Sequence, residues 1–370
     1  MAHTQISRQQ DAGQQGARQQ LAGRRISRKQ FLAGTGVSLL AFAAPMLGCS
    51  QQKQKGDAAK GSAAAKQKTK LTLCLDYTPN TNHTGLYVAK EKGFFADEGL
   101  ELEFIQSSEN SAEAMVGTGQ AQVGVSYQDY VANALSQDNP FPVTAVAAII
   151  QHNTSGIMSR AADSITSAKK MENHRYATWD MPVEQATIKQ VVTTDGGDFS
   201  KITMVPYNVD DEVSGLKANM FDAVWVYEGW AYQNAKVQKY DVNYFSFSSM
   251  DPVFDFYTPV LIANNSFMEK SADQLKGFLR AVKKGYEFAI SNPNDAASIL
   301  LKAVPELDEK LVRASAQFLA KQYQADASSW GVIDAKRWSR YFTWLNDNKL
   351  VKHALDVNAG WTDKYLEKTK

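Results

Sequence analysis

The sequence predicts an α/β protein whose two lobes close over a ligand cleft, and three observations predict it. From Lys70 onward short apolar runs alternate with stretches of helical period, which argues for mostly parallel sheets covered by helices. The alternation comes in two sets, with the chain leaving the first near Arg160 and returning near Met250. Most strand-like runs end in a polar, aromatic loop, and open α/β sheets meet small ligands beyond the carboxyl ends of their strands. Residues 70–160 and 251–370 are therefore assigned to one lobe and 161–250 to the other.

Residues 1–49 precede the fold. Arg24, Arg25, Arg28 and Lys29 lead into a mildly apolar stretch, 31–47, that closes on Met46-Leu47-Gly48-Cys49. That order of charged region, apolar region and small residue reads as an export signal. Gly34, Thr35, Gly36 and Ser38 interrupt the apolar stretch too often for a membrane span. Ser27-Arg28-Lys29-Gln30-Phe31-Leu32 resembles the twin-arginine export motif with Lys29 as its second basic residue. Residues 46–49 resemble a bacterial lipobox, which makes Cys49 the expected lipidation site. Residues 50–69, mostly Lys, Gln, Ala and Gly, read as a flexible tether. Signal, lipid and tether place the body on the extracytoplasmic face of the cell membrane. Cys74 is the second of two cysteines, so no disulfide framework is available and its expected role is that of a small buried apolar residue. A net charge of +1 offers no footprint for nucleic acid.

Within the body, strands are predicted at 71–75, 102–105, 122–125, 143–150 and 156–158, with helices at 84–92, 111–116 and 129–135 between them. A second set follows: strands 175–178, 202–205, 222–227 and 243–247, with helices 183–194, 210–218 and 229–237. A lone strand at 258–263 precedes a helical tail. There Ser271-Ala272-Asp273-Gln274 has the spacing of a capping box, and Leu275, Leu279, Val282, Tyr286 and Ala289 share one face. A last helix near 334–347 turns Trp338, Tyr341, Phe342 and Leu345 inward.

The strand ends carry the candidate chemistry. Asp76, Tyr77 and Asn80 follow the first strand, and Ser126 and Tyr127 follow the third, forming one expected wall of the cleft. Trp179, Glu184, Tyr227, Glu228 and Trp230 form the opposite wall, and Tyr257 sits at the return crossing. The recurrent pairing is aromatic with carboxylate or amide. Aromatic faces stack on flat rings, and carboxylates accept from ring N–H groups and exocyclic amines, so the expected ligand is a flat, amine-bearing heterocycle. No phosphate loop, nucleophile elbow, zinc-type histidine spacing or paired metal carboxylates can be found, so no catalytic residue, metal or cofactor is assigned.

Asp76-Tyr77-Thr78-Pro79-Asn80-Thr81-Asn82-His83-Thr84-Gly85-Leu86-Tyr87-Val88-Ala89, with Gly93-Phe94-Phe95 and Glu98-Gly99-Leu100, closely resembles the opening of the ThiY-type solute-binding proteins. Gly117 to Ala121, Pro182-Val183-Glu184, Asp222 to Trp230 and Tyr257 to Val260 continue the resemblance to the C-terminus. It implies a monomeric periplasmic-binding-protein fold of the second type that delivers a thiamine pyrimidine precursor to an ABC permease and its ATPase, with riboflavin as the ligand of close relatives. The same superfamily includes a synthase that builds that pyrimidine from its own histidine and pyridoxal phosphate. Aligned on it, Ser126 stands at the cofactor lysine and Tyr130 at the donor histidine, and no Cys-rich iron-binding run precedes Tyr257.

Overall fold

The computed structural model describes residues 68–106, 111–209 and 211–367. The export signal, Cys49 and nearly all of the tether lie outside them. No helix among the described residues is long and apolar enough to cross a membrane.

Ten strands form two five-stranded sheets among the described residues. The first sheet is built from β1 (Thr69–Leu75), β2 (Leu100–Gln106), β3 (Val123–Ser126), β4 (Val143–Ala148) and, much later, β10 (Val260–Asn264), in the order β2-β1-β3-β10-β4. The second is built from β5 (Ser155–Arg160), β6 (Arg175–Thr178), β7 (Thr203–Pro206), β8 (Ala223–Tyr227) and β9 (Val242–Ser246), in the order β7-β6-β8-β5-β9. In each sheet three parallel strands meet one antiparallel strand at the fourth place, β10 in the first and β5 in the second. Both are the strands that have just arrived from the other lobe. The parallel strands end at the cleft, and a strand that begins at the cleft must run away from it.

That geometry corrects two features of the sequence reading. The run 156–158 does not belong to the first lobe, because β5 pairs with β8 and β9 in the second sheet. The chain therefore crosses at 149–154, ahead of Arg160. Nor is 258–263 a lone strand: β10 lies between β3 and β4. A short apolar run reveals that it is a strand but not which sheet it joins.

The alternation of β1 divides the first core. Leu71, Leu73 and Leu75 pack with Leu86, Phe278, Leu279 and Val282, while Cys74 faces Val116, Val131 and Trp338 on the other side of the sheet. Burial raises the Cys74 thiol to about 11, in keeping with an inert apolar filler. The helices Thr84–Glu91 and Ala272–Ser291 touch backbone to backbone. A Cβ on Gly285 would lie 2.0 Å from the Gly85 carbonyl oxygen, so only glycine fits the crossing. Ser271 precedes the second of these helices without a side-chain cap, so the predicted capping box does not form. The predicted inward residues Leu275, Leu279, Val282, Tyr286, Trp338, Tyr341, Phe342 and Leu345 are all buried.

Candidate functional site

The loop after β1 is fixed from below. Tyr286 and Tyr323 donate their hydroxyls to the carbonyls of Asn82 and Thr81, each at 2.7 Å. Asn80 starts a 3-10 turn at Thr81–His83, accepting from the Asn82 N–H at 2.9 Å and donating to the Thr78 carbonyl at 3.0 Å. The Asn80 N–H points at His83 Nδ1, and Nε2 of the same ring lies 2.7 Å from Asp76 Oδ1. The other Asp76 oxygen accepts from the Tyr127 hydroxyl. Burial pushes the Asp76 carboxyl up, and His83 and Tyr127 more than reverse it, leaving Asp76 below its ordinary value. Asp76 thus orients Tyr127, whose ring meets Tyr130 edge to face at 5.4 Å.

The facing wall is set by Glu184. Its carboxylate accepts from the Tyr176 hydroxyl at 2.8 Å, the Thr178 hydroxyl at 3.0 Å, and the backbone N–H groups of Trp179 and Met181. The loop between β6 and the helix Pro182–Thr194 is wrapped around that one buried side chain. Within it Asp180 takes φ +58°, a left-handed conformation that a non-glycine residue adopts only when its surroundings hold it there. The wrap presents Trp179 to the cleft, its ring 5.7 Å from Tyr207 and 5.8 Å from Trp225.

The predicted residues divide into two groups. Tyr77, Trp179 and Tyr227 are large aromatics left exposed (69%, 42% and 40%), and with Tyr130 at 49% they come from both lobes. Tyr77 lies within electrostatic reach of the Tyr207 hydroxyl in the opposite lobe, and Tyr227 within reach of Asp76, Asp129 and Tyr130. With Tyr127, these form an aromatic cleft.

In the other group the polar side-chain atoms of Asn80, Ser126, Glu184 and Tyr257 are bonded within the protein. Asn80 is a cap. Ser126 is buried and donates to Glu113. Glu184 is the buried loop anchor. Burial raises the Glu228 carboxyl, with the Lys236 charge opposing it. Trp230 packs on Ala297, Leu300, Val312 and Ala316 of the first lobe's helices. Tyr257 is fully buried, its hydroxyl accepting from the Asp334 N–H at 2.7 Å beneath Arg337.

The sequence does not point to Asp129, Tyr207, Trp225 or Tyr341 as residues of the cleft. Asp129 lies in the first turn of the helix Gln128–Leu135, where burial raises its carboxyl to about 6. Its position directly after Ser126-Tyr127-Gln128 was the available signal. Tyr341 stacks on Phe256 at 4.1 Å and reads in sequence as one more core position.

The chain matches a sequence profile described as "NMT1/THI5 like" over residues 80–296, more than half its length. It is 28% identical to a formylaminopyrimidine-binding protein of Halalkalibacterium halodurans over 75% of this chain and 84% of that protein. It is 20% identical to a 4-amino-5-hydroxymethyl-2-methylpyrimidine phosphate synthase of Legionella pneumophila, over 83% of this chain and 95% of the synthase. Among solved structures, the periplasmic aliphatic sulphonate binding protein SsuA from Escherichia coli superposes with a TM-score of 0.64 at 13% identity, covering 81% of this chain and 94% of SsuA. That last likeness concerns the fold, which is the two-lobed fold of periplasmic binding proteins.

Proposed function

The chain belongs to the NMT1/THI5-like family, and from that premise we propose that it is the solute-binding component of an ABC importer. Its ligand on this reading is a thiamine pyrimidine precursor, an aminopyrimidine, handed to a permease and its ATPase. The body works outside the cell membrane, tethered through lipid on Cys49. The observation that carries the reading is the pair of aromatic walls, Tyr127 and Tyr130 on one lobe and Trp179, Trp225 and Tyr227 on the other.

Such walls suit a flat ring sandwiched between lobes. Contacts to both walls exist together only when the lobes are closed, so the ligand stabilises the closed form by its differential affinity. The site residues of this reading are Tyr77, Tyr127, Trp179 and Tyr227, with Asp76 as the group that positions Tyr127. Relatives named as synthases raise the enzymatic alternative. Against it stands Ser126, which the resemblance aligns with the synthase lysine and whose hydroxyl is bonded to Glu113. A hydroxyl cannot form the imine that a lysine forms with an aldehyde cofactor.

Thermal melting against a panel tests the function: the 4-amino-5-hydroxymethyl and formylaminomethyl pyrimidines, thiamine and riboflavin. A ligand at a hundred times its dissociation constant adds about 2.7 kcal/mol, enough to raise the melt by a few degrees. A shift with a pyrimidine is the expected result. A shift with riboflavin alone replaces the ligand and keeps the transport role, whereas pyrimidine formed from pyridoxal phosphate and iron would overturn it.

A further inference from the structure

One carboxylate in the cleft is left under-bonded. Asp129 accepts from its own backbone N–H and that of Tyr130, and no side-chain hydrogen bond to it is found among the described residues. Its charge is felt by three phenols on three elements: Tyr130 on its own helix, Tyr227 at the end of β8 in the second lobe, and Tyr341 on the helix Ala335–Asp347. Tyr341 is fully buried and its hydroxyl has no partner. The buried Thr258 hydroxyl lies beside the Tyr227 hydroxyl and is its neighbour on the side of the first lobe. A buried polar group without a partner is destabilising, and native proteins keep few of them. The unpaired Tyr341 hydroxyl and the Tyr227 hydroxyl of the second lobe, both within reach of an under-bonded carboxylate, describe a polar recognition set.

We propose that Asp129 is the residue that selects the ligand, its carboxylate taking the N–H groups of a flat, protonatable aminopyrimidine-class ring while the Tyr227 and Tyr341 hydroxyls meet that ring's remaining polar atoms. This rests on the solute-binding reading and adds the specificity to it. The other titratable groups facing Asp129 are Glu113 from the helix Ala112–Gly117 and the Tyr130, Tyr227 and Tyr341 phenols, and Asp76 from the end of β1 acts on two of those phenols, Tyr130 and Tyr227. Glu113 is bonded to Ser126 and Asp76 to His83 and Tyr127, so both are already engaged.

A ring that carries its own proton pairs with the Asp129 carboxylate through a charge-assisted bond, roughly twice as strong as a neutral one. A flavin ring takes up no proton near neutral pH, and its one ring N–H stands between two carbonyl oxygens that a carboxylate repels. The ring and Asp129 together therefore hold one proton in the complex. At about pH 8, where neither holds it alone, binding takes that proton up from solution.

Calorimetry in buffers of different ionisation heat measures this directly, with 4-amino-5-hydroxymethyl-2-methylpyrimidine as the probe. The wild-type protein is expected to take up close to one proton near pH 8. Asp129→Asn is expected to lose that uptake and to bind about a hundredfold more weakly. Tyr341→Phe, which removes one oxygen from an otherwise unchanged ring, is expected to weaken binding about tenfold. Because the raised carboxyl favours the folded state only while protonated, ligand-free Asp129→Asn should melt higher than wild type above about pH 6, and the gap should close below about pH 4. Wild-type affinity and proton uptake in Asp129→Asn, with binding lost in Tyr227→Ala, would overturn the assignment and leave the solute-binding reading intact. A wild-type protein that binds none of the pyrimidines overturns both.

Discussion

His152 and Asp255 stand 2.8 Å apart, Nδ1 to Oδ2, and each lies on a different one of the two segments by which the chain crosses between the lobes. The other ring nitrogen, Nε2, lies 2.8 Å from Asp326 Oδ1. A neutral imidazole has one N–H, so a ring that meets a carboxylate at each nitrogen is held as the imidazolium. The bond to Asp255 raises the ring above its ordinary value, with burial opposing it and Asp326 adding to it. Arg337 Nε sits 3.4 Å from Asp255, and the three residues line a cavity of about 540 Å³ at the crossings. The two crossings are thus joined by a small ion cluster.

A ring whose pKa is higher in the folded protein contributes stability that is complete below its unfolded value, about 6.5, and is lost as pH rises through the folded one. His152→Gln is therefore expected to melt below the wild type near pH 6 and to match it in alkali. The difference should stay under about 1 kcal/mol, because 32% of the ring is exposed and Asp326 lies on the surface. Melting curves from about pH 6 to about pH 9 check it. A constant offset over that range would assign the ring to packing and not to charge.

Trp179 is 42% exposed, and on the proposed reading it is a wall of the cleft, so its loss should be read in binding and hardly in folding. Trp179→Ala is expected to weaken ligand binding roughly ten- to a hundredfold, the scale of one lost stacking face and its buried area. The melting temperature of the ligand-free protein should move by no more than a degree or two. Titration calorimetry and a melt on the same preparation separate the two effects, and equal affinity in the variant would remove Trp179 from the wall.

The architecture was legible because periodicity and strand-end chemistry are local signals. The roles of single residues were not, because a carboxylate after a strand looks the same whether it faces the cleft or turns under its own loop. Glu184 shows the difference. It sits at the third position of a helix that opens on Pro182, with Met181 where a capping Ser or Asp would advertise a capping box. The surroundings of Trp230 and Tyr257 were illegible for another reason: their partners, on or at the start of the helices Pro293–Ala303, Glu309–Leu319 and Ala335–Asp347, arrive many residues later in the chain. Asp129 was passed over because an acidic residue in the first turn of a helix has an ordinary explanation in the helix dipole.

Glu184 should accordingly behave as a structural residue whose removal is felt at the site. Glu184→Ala leaves the Tyr176 and Thr178 hydroxyls and the Trp179 N–H without their acceptor, at about 1–3 kcal/mol for each buried donor. A loss of at least about 3 kcal/mol in denaturant unfolding is expected. Glu184→Gln keeps one acceptor oxygen and should cost less. Burial raises the Glu184 carboxyl, so its charge opposes folding as pH climbs, and the amide carries no such cost. Ligand affinity should fall in both variants, since the loop that presents Trp179 is the one being released. A Glu184→Ala protein of wild-type stability would refute the anchor.

The two lobes also meet at a point away from the strand ends. Ser315, fully buried on the helix Glu309–Leu319, donates to the Gly229 carbonyl just beyond β8 of the second lobe. Its oxygen lies 2.6 Å from Thr81 Oγ1. Because Ser315 gives its hydrogen to Gly229, Thr81 must supply the hydrogen between the two hydroxyls, and the bonds run in one direction from the β1 loop to the second lobe. Trp230 packs beside this relay on Ala297, Leu300, Val312 and Ala316, so the polar contact is enclosed by apolar ones. Ser315→Ala removes both bonds while keeping the helix, and leaves the Gly229 carbonyl unpaired in a dry contact. The expected cost is about 1–2 kcal/mol, levied on docking of the second lobe and not on either sheet. If the lobes part to admit ligand, that cost lowers the population of the closed form, and affinity should fall roughly five- to thirtyfold. Small-angle scattering should then show a larger ligand-free radius of gyration that returns to the wild-type value on saturation. Loss of stability with unchanged affinity and radius would place Ser315 in a contact that stays shut throughout the binding cycle.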